Sequence, residues 1–377
     1  MTKKILIVSG EPSGDLHASN LVKDLKRLDK NIEFFGMGGS LSKKAGVEIV
    51  YDITDLALIG VVEVLKNIFT VGNAYKKILK KIDTARPDLA ILVDYPGFNL
   101  RLARELKKRS IPVVYYISPQ VWAWGRDRVK IIKKYVKKIL VFFKFEEELY
   151  KTCDINAEFV GHPLLDSVKV TAPKEEVIIK YSLTDAEDIV ALLPGSRESE
   201  VKTLLPIMMG AAKILSQKLQ RLKFVIVKYP DLPISLYENA LKETHFDVRL
   251  ANGDAHNVLN ASDIAIVASG TTTLESAIIG TPLIITYKVN IITYLLYKIV
   301  SRIRFIGLVN IIAGFEIAPE FLQYNARPEK IAQAAYDILS NGKILSDIRS
   351  GLKKVTSSLG SPGASLRAAN AVFSLLK

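Results

Sequence analysis

The sequence predicts an α/β protein in which two doubly wound parallel sheets face each other across a cleft. Short β-branched runs alternate with longer stretches of helical period, a pattern typical of parallel strands joined by crossover helices. The pattern lapses once, near the middle of the chain, and then restarts. At 377 residues the chain has room for two domains that each bury a core.

The first half of the chain contains five predicted strands. They are expected in KILIVSG, IEFFGMGG, DLAILVD, PVVYYIS and KILVFF. Amphipathic helices are expected between them in HASNLVKDLKRLD and FNLRLARELKKRS, because apolar residues recur there three and four positions apart.

The second half repeats this order after a stretch of turn formers and charges at residues 161–176. Its strands are expected in DIVALLPGS, RLKFVIVKY, DVRLANG, DIAIVASG and PLIITYKV, and GASLRAANAVFSLLK predicts a terminal helix. We therefore expect domains at residues 1–165 and 166–350. Residues 351–377 are expected to form a helical segment that packs back toward the first domain.

The net charge of +13 predicts a protein that attracts anions, such as nucleic acid, anionic lipid or a phosphorylated substrate. Much of the excess lies in YKKILKKI, RELKKRS and RDRVKIIKKYVKK, which are typical either of solvated helix faces or of membrane-surface contacts. No nucleic-acid motif accompanies these runs, so a nucleic-acid-binding module is the less favoured class. The one cysteine, Cys153, cannot form an intrachain disulfide, which favours a reducing compartment.

Neither apolar stretch of the chain has the pattern of a targeting or spanning segment. The N-terminus turns polar too early for a signal peptide. Residues 290–314 are apolar but are interrupted by Lys298, Arg302 and Arg304, so they are expected to be soluble or interfacial.

The motif LLPGSRESEV directly follows a predicted strand and suits phosphate. Gly195 permits a tight turn, Ser196 is able to cap the next helix, and Arg197 is able to point a guanidinium into the cleft. Helix N-terminal amides and an arginine fork both complement an anion. A structural or surface role for Arg197 stays open.

The motif SGTTTLE repeats this design. Ser269, Gly270 and Thr271 end a strand and open a helix, and Glu275 lies one turn in, where a carboxylate is able to hold the two hydroxyls of a ribose. A capping arrangement through Thr271 or Thr272 is compatible with this. Two such helix starts in one domain favour a nucleotide diphosphate.

In the first half, polar residues again follow the predicted strands. Asp94 in VDYPGFN is able to accept a proton from a substrate hydroxyl, although an ordinary turn aspartate would look the same. Trp122 and Trp124 in SPQVWAW are either core or a platform for an amphipathic ligand, with Arg128 just beyond. The four histidines lack metal-ligand spacing, and His162 in GHP is expected to be a hinge, a ligand contact or a structural residue.

Together the motifs resemble those of one enzyme family over nearly the whole chain. SGEPSGD, GMGG, IGVVEVL, VDYPGFN, SPQVWAW, FVGHPL, LLPGSRESEV, SGTTTLE and PEFLQ occur in the order found in lipid-A-disaccharide synthases. That resemblance implies a GT-B glycosyltransferase with two Rossmann-like domains. The implied reaction transfers 2,3-diacylglucosamine from its UDP derivative to 2,3-diacylglucosamine 1-phosphate (lipid X), with inversion, giving a β-1,6-linked disaccharide 1-phosphate and UDP.

The resemblance also implies roles for single residues. Asp94 matches the family's essential carboxylate, Arg197 the arginine beside the leaving diphosphate, and Asn310 an asparagine near the donor. Gly195, Ser196, Ser269, Gly270, Thr271 and Glu275 complete the implied UDP site, and no metal or other cofactor is expected. The implied acceptor residues are Glu11, Ser13, Gly14, Asp15, Glu63, Asn99, Trp122, Arg128 and His162.

Two of these expectations carry alternatives. Asp15 in SGEPSGD is either a sugar ligand or a helix cap. Most family members read D-x-P-D-F-N, and this chain has Gly97 in place of the second aspartate. If that second aspartate were the family's base, the assignment of Asp94 as base would be wrong. The segment FKFEEE also departs from the usual F-P-F-E, which is expected to alter only a turn.

A lipid substrate would give the basic surface a purpose. Residues 58–81, apolar first and basic later, are expected to dock on the anionic inner leaflet, which predicts a cytoplasmic enzyme peripherally associated with the inner membrane. A buried helix with a solvated face is the alternative. A homodimer stays open. The rival enzyme class is another UDP-sugar GT-B protein, either a transferase with a different lipid acceptor or a UDP-N-acetylglucosamine epimerase.

Overall fold

The computed structural model describes residues 2–56, 68–123, 125, 127–242, 244–290, 294 and 304–376. Within these ranges the chain forms two compact units. Unit 1 comprises Met1–Pro163 and Leu359–Lys377, and unit 2 comprises Leu164–Ser358.

Unit 1 is built on a seven-stranded sheet, and every strand pair in it is parallel. Its strands in chain order are β1 (Lys3–Ser9), β2 (Ile32–Gly38), β3 (Val47–Asp52), β4 (Leu89–Val93), β5 (Val113–Tyr116), β6 (Lys138–Val141) and β7 (Ala157–Phe159). The helices between them are α1 (Pro12–Leu28), α2 (Ser40–Lys44), α3 (Ile68–Ala85), α4 (Pro96–Lys108), α5 (Asp127–Tyr135) and α6 (Lys144–Lys151), with a 3₁₀ turn at Ile53–Leu56.

Unit 2 repeats the plan with a parallel six-stranded sheet. Its helices are α7 (Leu164–Ser167), α8 (Lys174–Lys180), α9 (Glu198–Lys218), α10 (Ser235–Lys242), α11 (Ala255–Ala261), α12 (Thr272–Ile279), α13 (Leu308–Ala313), α14 (Pro328–Ser340) and α15 (Gly342–Ser358). The strands are β8 (Asp188–Leu193), β9 (Leu222–Lys228), β10 (Val248–Asn252), β11 (Ile264–Ala268), β12 (Leu283–Tyr287) and β13 (Glu320–Leu322). Helix α16 (Ala364–Phe373) follows in unit 1.

The sheet of unit 1 buries both of its faces, as a parallel sheet with crossover helices must. Ile5 and Ile7 of β1 belong to one core cluster, while Leu6 and Val8 belong to the other. The first cluster also contains the apolar faces of α1 and of the terminal helix α16. The continuous apolar run of β1 follows from this burial on both sides.

All ten strands predicted from the sequence are present, and the terminal helix is confirmed as α16. Three strands were missed. Strands β7 and β13 have only three residues each, and β3 is only partly buried, so none shows a strong periodic signal. Helix α1 begins at Pro12, earlier than predicted, because Glu11 is extended and proline suits the first helical turn.

The strand order creates a switch point in each sheet, where neighbouring strands send their chains to opposite sides. The orders are β3-β2-β1-β4-β5-β6-β7 and β10-β9-β8-β11-β12-β13, so the switch points lie between β1 and β4 and between β8 and β11. Open α/β sheets bind ligands at the carboxyl edge of such points. SGEPSGD and VDYPGFN follow the first pair of strands, and PGSR and SGTTTLE follow the second.

At the first switch point the chain after β1 packs against the chain after β4. A Cβ atom at Gly10 would lie 2.2 Å from Cδ1 of Tyr95, so only glycine allows this approach. Gly97, two residues further along, has no atom within 4 Å of the same hypothetical position. The two glycines therefore differ sharply in what a methyl group would meet.

We expect Gly10→Ala to destabilise the protein by about 1–3 kcal/mol, because overpacking forces neighbouring groups to move. Gly97→Ala, at the open position in the first turn of α4, should change the free energy of unfolding by less than about 1 kcal/mol. Urea unfolding of both variants measures the difference. Equal stability of the two would contradict the close packing of Gly10 on Tyr95.

Candidate functional site

The chain after β4 makes a strained turn at Asp94 and Tyr95. Both residues have a φ of 46°, in the left-handed region that non-glycine residues rarely adopt. The carbonyl oxygen of Asp94 accepts hydrogen bonds from Asn99 Nδ2 at 2.8 Å and from the Tyr115 hydroxyl at 2.5 Å. The backbone N–H of Asp94 donates to the Tyr116 carbonyl at 3.0 Å. The surrounding structure thus fixes the backbone that carries the Asp94 carboxylate.

The Asp94 carboxyl group is half-buried at this turn. Burial, and then the negative charge of Glu11, raise the pKa of Asp94 to about 6, while a hydrogen bond from the Tyr95 backbone N–H acts in the opposite direction. A carboxylate with such a pKa is ionised at neutral pH and is a better proton acceptor than an ordinary aspartate. Among the predicted residues, the structure therefore brings Glu11 and Asp94 together.

The SGEPSGD motif forms the first turn of α1. Glu11 and Ser13 are exposed, and Gly14 is buried against Ser9. Asp15 is buried, and its carboxylate accepts backbone hydrogen bonds from Gly39, Leu41 and Ser42 at 2.8, 3.1 and 3.2 Å.

These contacts give Asp15 a capping role at a neighbouring helix, whereas the alternative from the sequence was a cap on its own helix, and its role as a sugar ligand stays a prediction. Asp15 does not cap its own helix: its carboxylate holds the GMGG turn and the start of α2. The two glycines of that turn lie so close to the carboxylate that a Cβ atom at Gly39 would be 2.7 Å from Oδ2. This contact explains why SGEPSGD and GMGG occur together.

Trp122 is anchored by a buried glutamate. Its indole Nε1 donates to Glu146 Oε1 at 3.1 Å, and its ring meets Phe145 edge to face. Burial raises the pKa of Glu146 to about 7, although hydrogen bonds from Trp122, Ser118 and two backbone amides act in the opposite direction. Glu146 is the first of the three glutamates in FKFEEE and matches the glutamate of F-P-F-E. The departure from the usual motif therefore retains the group that holds the SPQVWAW loop.

Hydroxyl groups hold the start of the same loop, and the Tyr115 hydroxyl lies near them. The hydroxyls of Ser118 and Tyr150 lie 2.8 Å apart, and Ser118 also donates to the Pro119 carbonyl at 2.9 Å. Burial raises the pKa of Tyr115 well above its usual value, with smaller contributions from the charges of Asp94 and Tyr150. Arg128 opposes that rise, so it lies near the same group of side chains.

His162 packs among aromatic rings. Its ring lies 5.5 Å from Phe142 and 5.1 Å from Phe143, and His17 lies 5.4 Å from Phe142 on the other side. Burial lowers the pKa of both histidines to about 4, and the charge of His17 lowers that of His162 further. Both imidazoles are therefore neutral at physiological pH, which favours the structural role for His162.

Unit 2 contains a cavity of about 790 Å³ at its switch point. Its wall is formed by the chain ends after β8, β9, β10 and β11. All the residues predicted from PGSR and SGTTTLE line it: Gly195, Ser196, Arg197, Ser269, Gly270, Thr271 and Glu275. Lining residues that the sequence did not indicate include Lys169, Lys228, Asp254, His256 and Asn257.

Two of these unpredicted residues hold the cavity wall in shape. Lys228 is buried and donates to the carbonyls of Tyr229 and Pro230 at 3.1 and 2.9 Å. Asn257 accepts hydrogen bonds from the backbone of Thr171 and Ala172 at 2.8 and 3.1 Å. A lysine inside a strand and an asparagine inside a short helix carry no distinctive local signal, so their roles become visible only in three dimensions.

The start of α9 differs from the prediction for Ser196. The N-cap is Arg197, and its partner is Glu200, whose carboxylate accepts hydrogen bonds from the backbone of Ser196 and Arg197 at 3.1 and 3.3 Å. The Arg197 guanidinium donates to the same carboxylate at 2.9 Å. The signal for this capping box is the Glu three residues after the cap in RESE.

Glu275 lies in the first turn of α12, as predicted, and is half-buried in the cavity wall. Burial raises the pKa of its carboxyl group, while the charge of His256 and a hydrogen bond from Thr272 act against this rise. Thr271 is the N-cap residue but makes no side-chain capping hydrogen bond. The Glu275 carboxylate is thus directed by neighbours within the cavity wall, next to Ser269 and Gly270.

Asn310 is not among the residues that line this cavity, and its place near the donor stays a prediction. It is fully buried, and its side-chain oxygen accepts from Ile317 N and Ala318 N at 2.7 and 3.0 Å. Its Nδ2 donates to the Ala318 carbonyl and to Glu320 Oε1 at 2.7 and 2.9 Å. With these four hydrogen bonds Asn310 ties α13 to the approach to β13.

The PEFLQ motif supports the Ser269 side of the cavity through hydrogen bonds to the chain around Ile306. Glu320 accepts backbone hydrogen bonds from Ile306 and Gly307 at 2.9 and 3.0 Å, and the Ile306 carbonyl in turn accepts from Ser269 Oγ at 3.1 Å. With its amide oriented to satisfy both partners, Gln323 donates to and accepts from the backbone of Val289 at 3.1 Å each. The motif thus holds the chain on both sides of residues 290–305.

Glu63, predicted to bind the acceptor, and Trp124 lie outside the described residues. Across the described ranges, no group of three or more histidine, cysteine, aspartate or glutamate side chains is arranged to hold a metal ion. In the same ranges no helix combines the length and the apolar character needed to cross a membrane.

The sequence is similar to one enzyme family over nearly its full length. The family model described as lipid-A-disaccharide synthetase matches residues 5–371. The lipid-A-disaccharide synthase of Syntrophus aciditrophicus is 41% identical over 377 residues, which is 100% of this chain and 98% of that protein. The enzyme of the same name from Myxococcus xanthus is 37% identical, and the match covers 99% of this chain and 97% of that protein.

Solved structures with much lower sequence identity share the fold. The calicheamicin glycosyltransferase CalG4 matches with a TM-score of 0.61 at 15% identity, covering 100% of this chain and 98% of its own. The UDP-GlcNAc 2-epimerase of Neisseria meningitidis matches with a TM-score of 0.61 at 11% identity, covering 98% of both chains. The predicted GT-B fold is confirmed. Since these neighbours include both transferases and an epimerase, the fold alone does not distinguish the two activities.

The raised pKa of Glu146 predicts a pH-dependent stability. Its carboxyl titrates at about 7 in the folded protein and near 4.5 when unfolded, so the neutral form favours folding and its contribution is lost as pH rises from about 4.5 to about 7. Glu146→Gln keeps an oxygen for Trp122 but carries no charge. The free energy of unfolding of Glu146→Gln minus that of the wild type should therefore increase by up to about 3 kcal/mol from pH 4.5 to pH 8.

Urea unfolding at several pH values measures this gain, with Glu148→Gln, on the exposed face of the same helix, as the matched control. A stability difference between Glu146→Gln and wild type that does not change with pH would show that folding does not raise the pKa of Glu146.

Proposed function

The chain belongs to the lipid-A-disaccharide synthetase family, and on that premise we propose which residues act in the reaction and what each of them does. It is a glycosyltransferase of lipid A biosynthesis that forms the lipid A disaccharide. The family implies UDP-2,3-diacylglucosamine as donor and 2,3-diacylglucosamine 1-phosphate, lipid X, as acceptor. The proposal concerns the base, the donor site and the membrane contact.

Asp94 is the general base. The observation that carries this assignment is the half-buried carboxylate with a pKa of about 6, held on a strained turn at the switch point of unit 1. In the reaction it takes the proton of the acceptor 6-hydroxyl while the oxygen bonds to C1 of the donor sugar. The bond between C1 and the diphosphate breaks on the opposite face, UDP departs and the α configuration becomes β.

Gly97 stands where most family members have a second acid. Among the described residues, no atom lies within 4 Å of its hypothetical Cβ atom, so none of them would orient a side chain there. Asp94, by contrast, is oriented by Asn99 and Tyr115 through its own carbonyl oxygen. This contrast supports Asp94 as the base.

The cavity of unit 2 is the donor site. Arg197 and the amides at the start of α9 bind the diphosphate and stabilise the charge that develops on it as UDP leaves. Glu275, in the opposite wall of the same cavity, accepts hydrogen bonds from the ribose hydroxyls. In the part of the chain that the structure describes, no atom lies within 4 Å of the hypothetical Cβ atom of Gly270, which supports room for the nucleotide beside the strand end.

Helix α3 docks on an anionic membrane surface. Its inward face is buried through Ala74, Ile78 and Ile82, so part of the predicted segment is core, as the alternative interpretation held. The outward face presents Phe69, 87% exposed, and the lysines at 76, 77 and 80. An exposed aromatic ring followed by cations on one helix is typical of a surface that meets anionic lipid. Residues 58–67 of the segment lie outside the described ranges.

Asp94→Asn should lower the transfer rate by at least about a hundredfold, because a positioned base contributes that much or more. The assay uses purified protein with the two defined acyl sugars, and the product linkage is determined. In the wild type, kcat/KM should fall as pH drops through about 6, since protonated Asp94 cannot accept a proton.

Asp88→Asn is the matched control, because Asp88 lies just before β4 as Asp94 lies just after it. UDP affinity should be unchanged in both variants. Near-normal turnover of Asp94→Asn would remove Asp94 as the base. Equal turnover with non-acylated UDP-N-acetylglucosamine as donor would instead contradict the acylated substrate.

The charge-reversal variant Lys76→Glu/Lys80→Glu should bind vesicles containing anionic phospholipid roughly tenfold or more weakly than wild type, because each surface lysine contributes about 1 kcal/mol. Co-sedimentation with vesicles measures binding. Lys343→Glu/Lys354→Glu, a matched change at exposed positions of α15, should leave it within about twofold. Equal losses in both variants would indicate a general charge effect, without docking through α3.

A further inference from the structure

The donors that would bind the diphosphate are already occupied by a carboxylate of the chain itself. Glu200 Oε2 accepts hydrogen bonds from the backbone N–H groups of Ser196 and Arg197 at 3.1 and 3.3 Å. Glu200 Oε1 accepts from the Arg197 guanidinium at 2.9 Å. Two adjacent amides and an arginine are the donor set that suits a phosphoryl group.

The chain is shaped to admit this carboxylate. Gly195 has a φ of 126°, and a Cβ atom there would lie 2.5 Å from Glu200 Oε2 and 2.7 Å from Glu200 Cβ. Any larger residue would push the Glu200 side chain off the loop. Burial, and then the negative charge of Glu200, raise the pKa of Tyr287 at the end of β12, so the tyrosine hydroxyl lies near the Glu200 carboxylate.

The arrangement is also a capping box, and a capping box alone requires only one of these contacts. The Arg197 N–H bond satisfies that motif. The bonds from Ser196 N and from the guanidinium go beyond it, and both involve groups in the cavity wall. The Arg197 side chain is 73% exposed while that of Glu200 is 12% exposed, so the arginine reaches back from solvent to the buried acid.

A carboxylate and a diphosphate cannot both use these donors, because two anions in contact repel each other. We propose that Glu200 is a positioning residue that occupies the diphosphate's place in the empty site, keeps the loop and Arg197 in a binding-competent arrangement, and is displaced by the diphosphate of the donor. The inference rests on the proposed donor site. Its consequence is that Glu200 weakens the binding of UDP and so assists release of the product.

The test compares Glu200→Gln with Glu198→Gln. Glutamine keeps an oxygen that is able to cap the helix but removes the charge. Glu198 lies in the same helical turn, is exposed and pairs with Lys202, so its replacement gives the same change in net charge away from the loop.

By titration calorimetry, Glu200→Gln should bind UDP roughly threefold to thirtyfold more tightly than wild type, an effect limited by solvent screening of the exposed arginine. Uridine, which lacks phosphates, should bind both proteins equally. In steady-state assays the KM for the donor and the inhibition constant of UDP should fall together. Glu198→Gln should stay within about twofold of wild type in every measurement.

Unchanged or weaker UDP binding by Glu200→Gln, relative to Glu198→Gln, would overturn the proposal and leave Glu200 as a helix cap only. A crystal structure of the wild type with UDP gives a second test that needs no variant. We expect phosphate oxygens on Ser196 N and Arg197 N and the Glu200 carboxylate turned away. Retention of both Glu200 hydrogen bonds beside bound UDP would also overturn it.

Arg197→Ala separates this inference from the donor site on which it rests. If Arg197→Ala binds UDP as tightly as wild type, the assignment of Arg197 to the diphosphate fails. If Arg197→Ala weakens binding but Glu200→Gln does not tighten it, the donor site stands and only the role of Glu200 fails.

Discussion

The geometry of unit 1 depends on one carbonyl oxygen, that of Asp94. Two successive residues in the left-handed region cost about 1–3 kcal/mol each, and such a turn persists only where its surroundings fix it. Asn99 and Tyr115 provide this by donating to the same oxygen from α4 and from β5. The turn sets the direction of the carboxylate, the start of α4 and the contact of Tyr95 with Gly10. The Asp94 carboxylate and the start of α4 are therefore positioned by the same two hydrogen bonds.

A second principle recurs across both units: acids in the sequence motifs hold backbone or ring N–H groups of neighbouring loops. Asp15 holds the GMGG turn, Glu146 the SPQVWAW loop, Glu200 the PGSR loop and Glu320 the chain before α13. Hydrogen bonds to ionised acceptors are stronger than neutral ones, so the ionised acids are able to fix loops that have little apolar surface to bury. Below pH 7 Glu146 is mostly neutral and accepts the Trp122 hydrogen bond as an ordinary neutral acceptor. Motif acids are therefore ambiguous in a sequence, because a carboxylate that holds a loop and one that contacts a ligand occupy similar positions.

This ambiguity explains what the sequence could predict. Apolar strands such as β4 and β8 are buried on both faces and can be predicted from their continuous apolar sequence. The position of Asp94 at the end of β4 can be predicted in the same way. The cavity residues of PGSR and SGTTTLE follow from the same reasoning, because strand ends meet at one edge of a parallel sheet. Partners that are distant in sequence were not predictable. Asp15 and Asn310 form their hydrogen bonds with other elements or segments, and three-residue strands have too little pattern to detect.

The two contacts of the PEFLQ motif have an evolutionary consequence. Glu320 and Gln323 fasten the backbone at Ile306 and at Val289, on either side of residues 290–305, to one short stretch of chain. Both hydrogen bonds involve backbone atoms of Val289 and Ile306, so changes of the side chains at these two positions leave the bonds, and with them the Ser269 wall of the cavity, in place. The side chains at these two positions are therefore less constrained than those of Glu320 and Gln323.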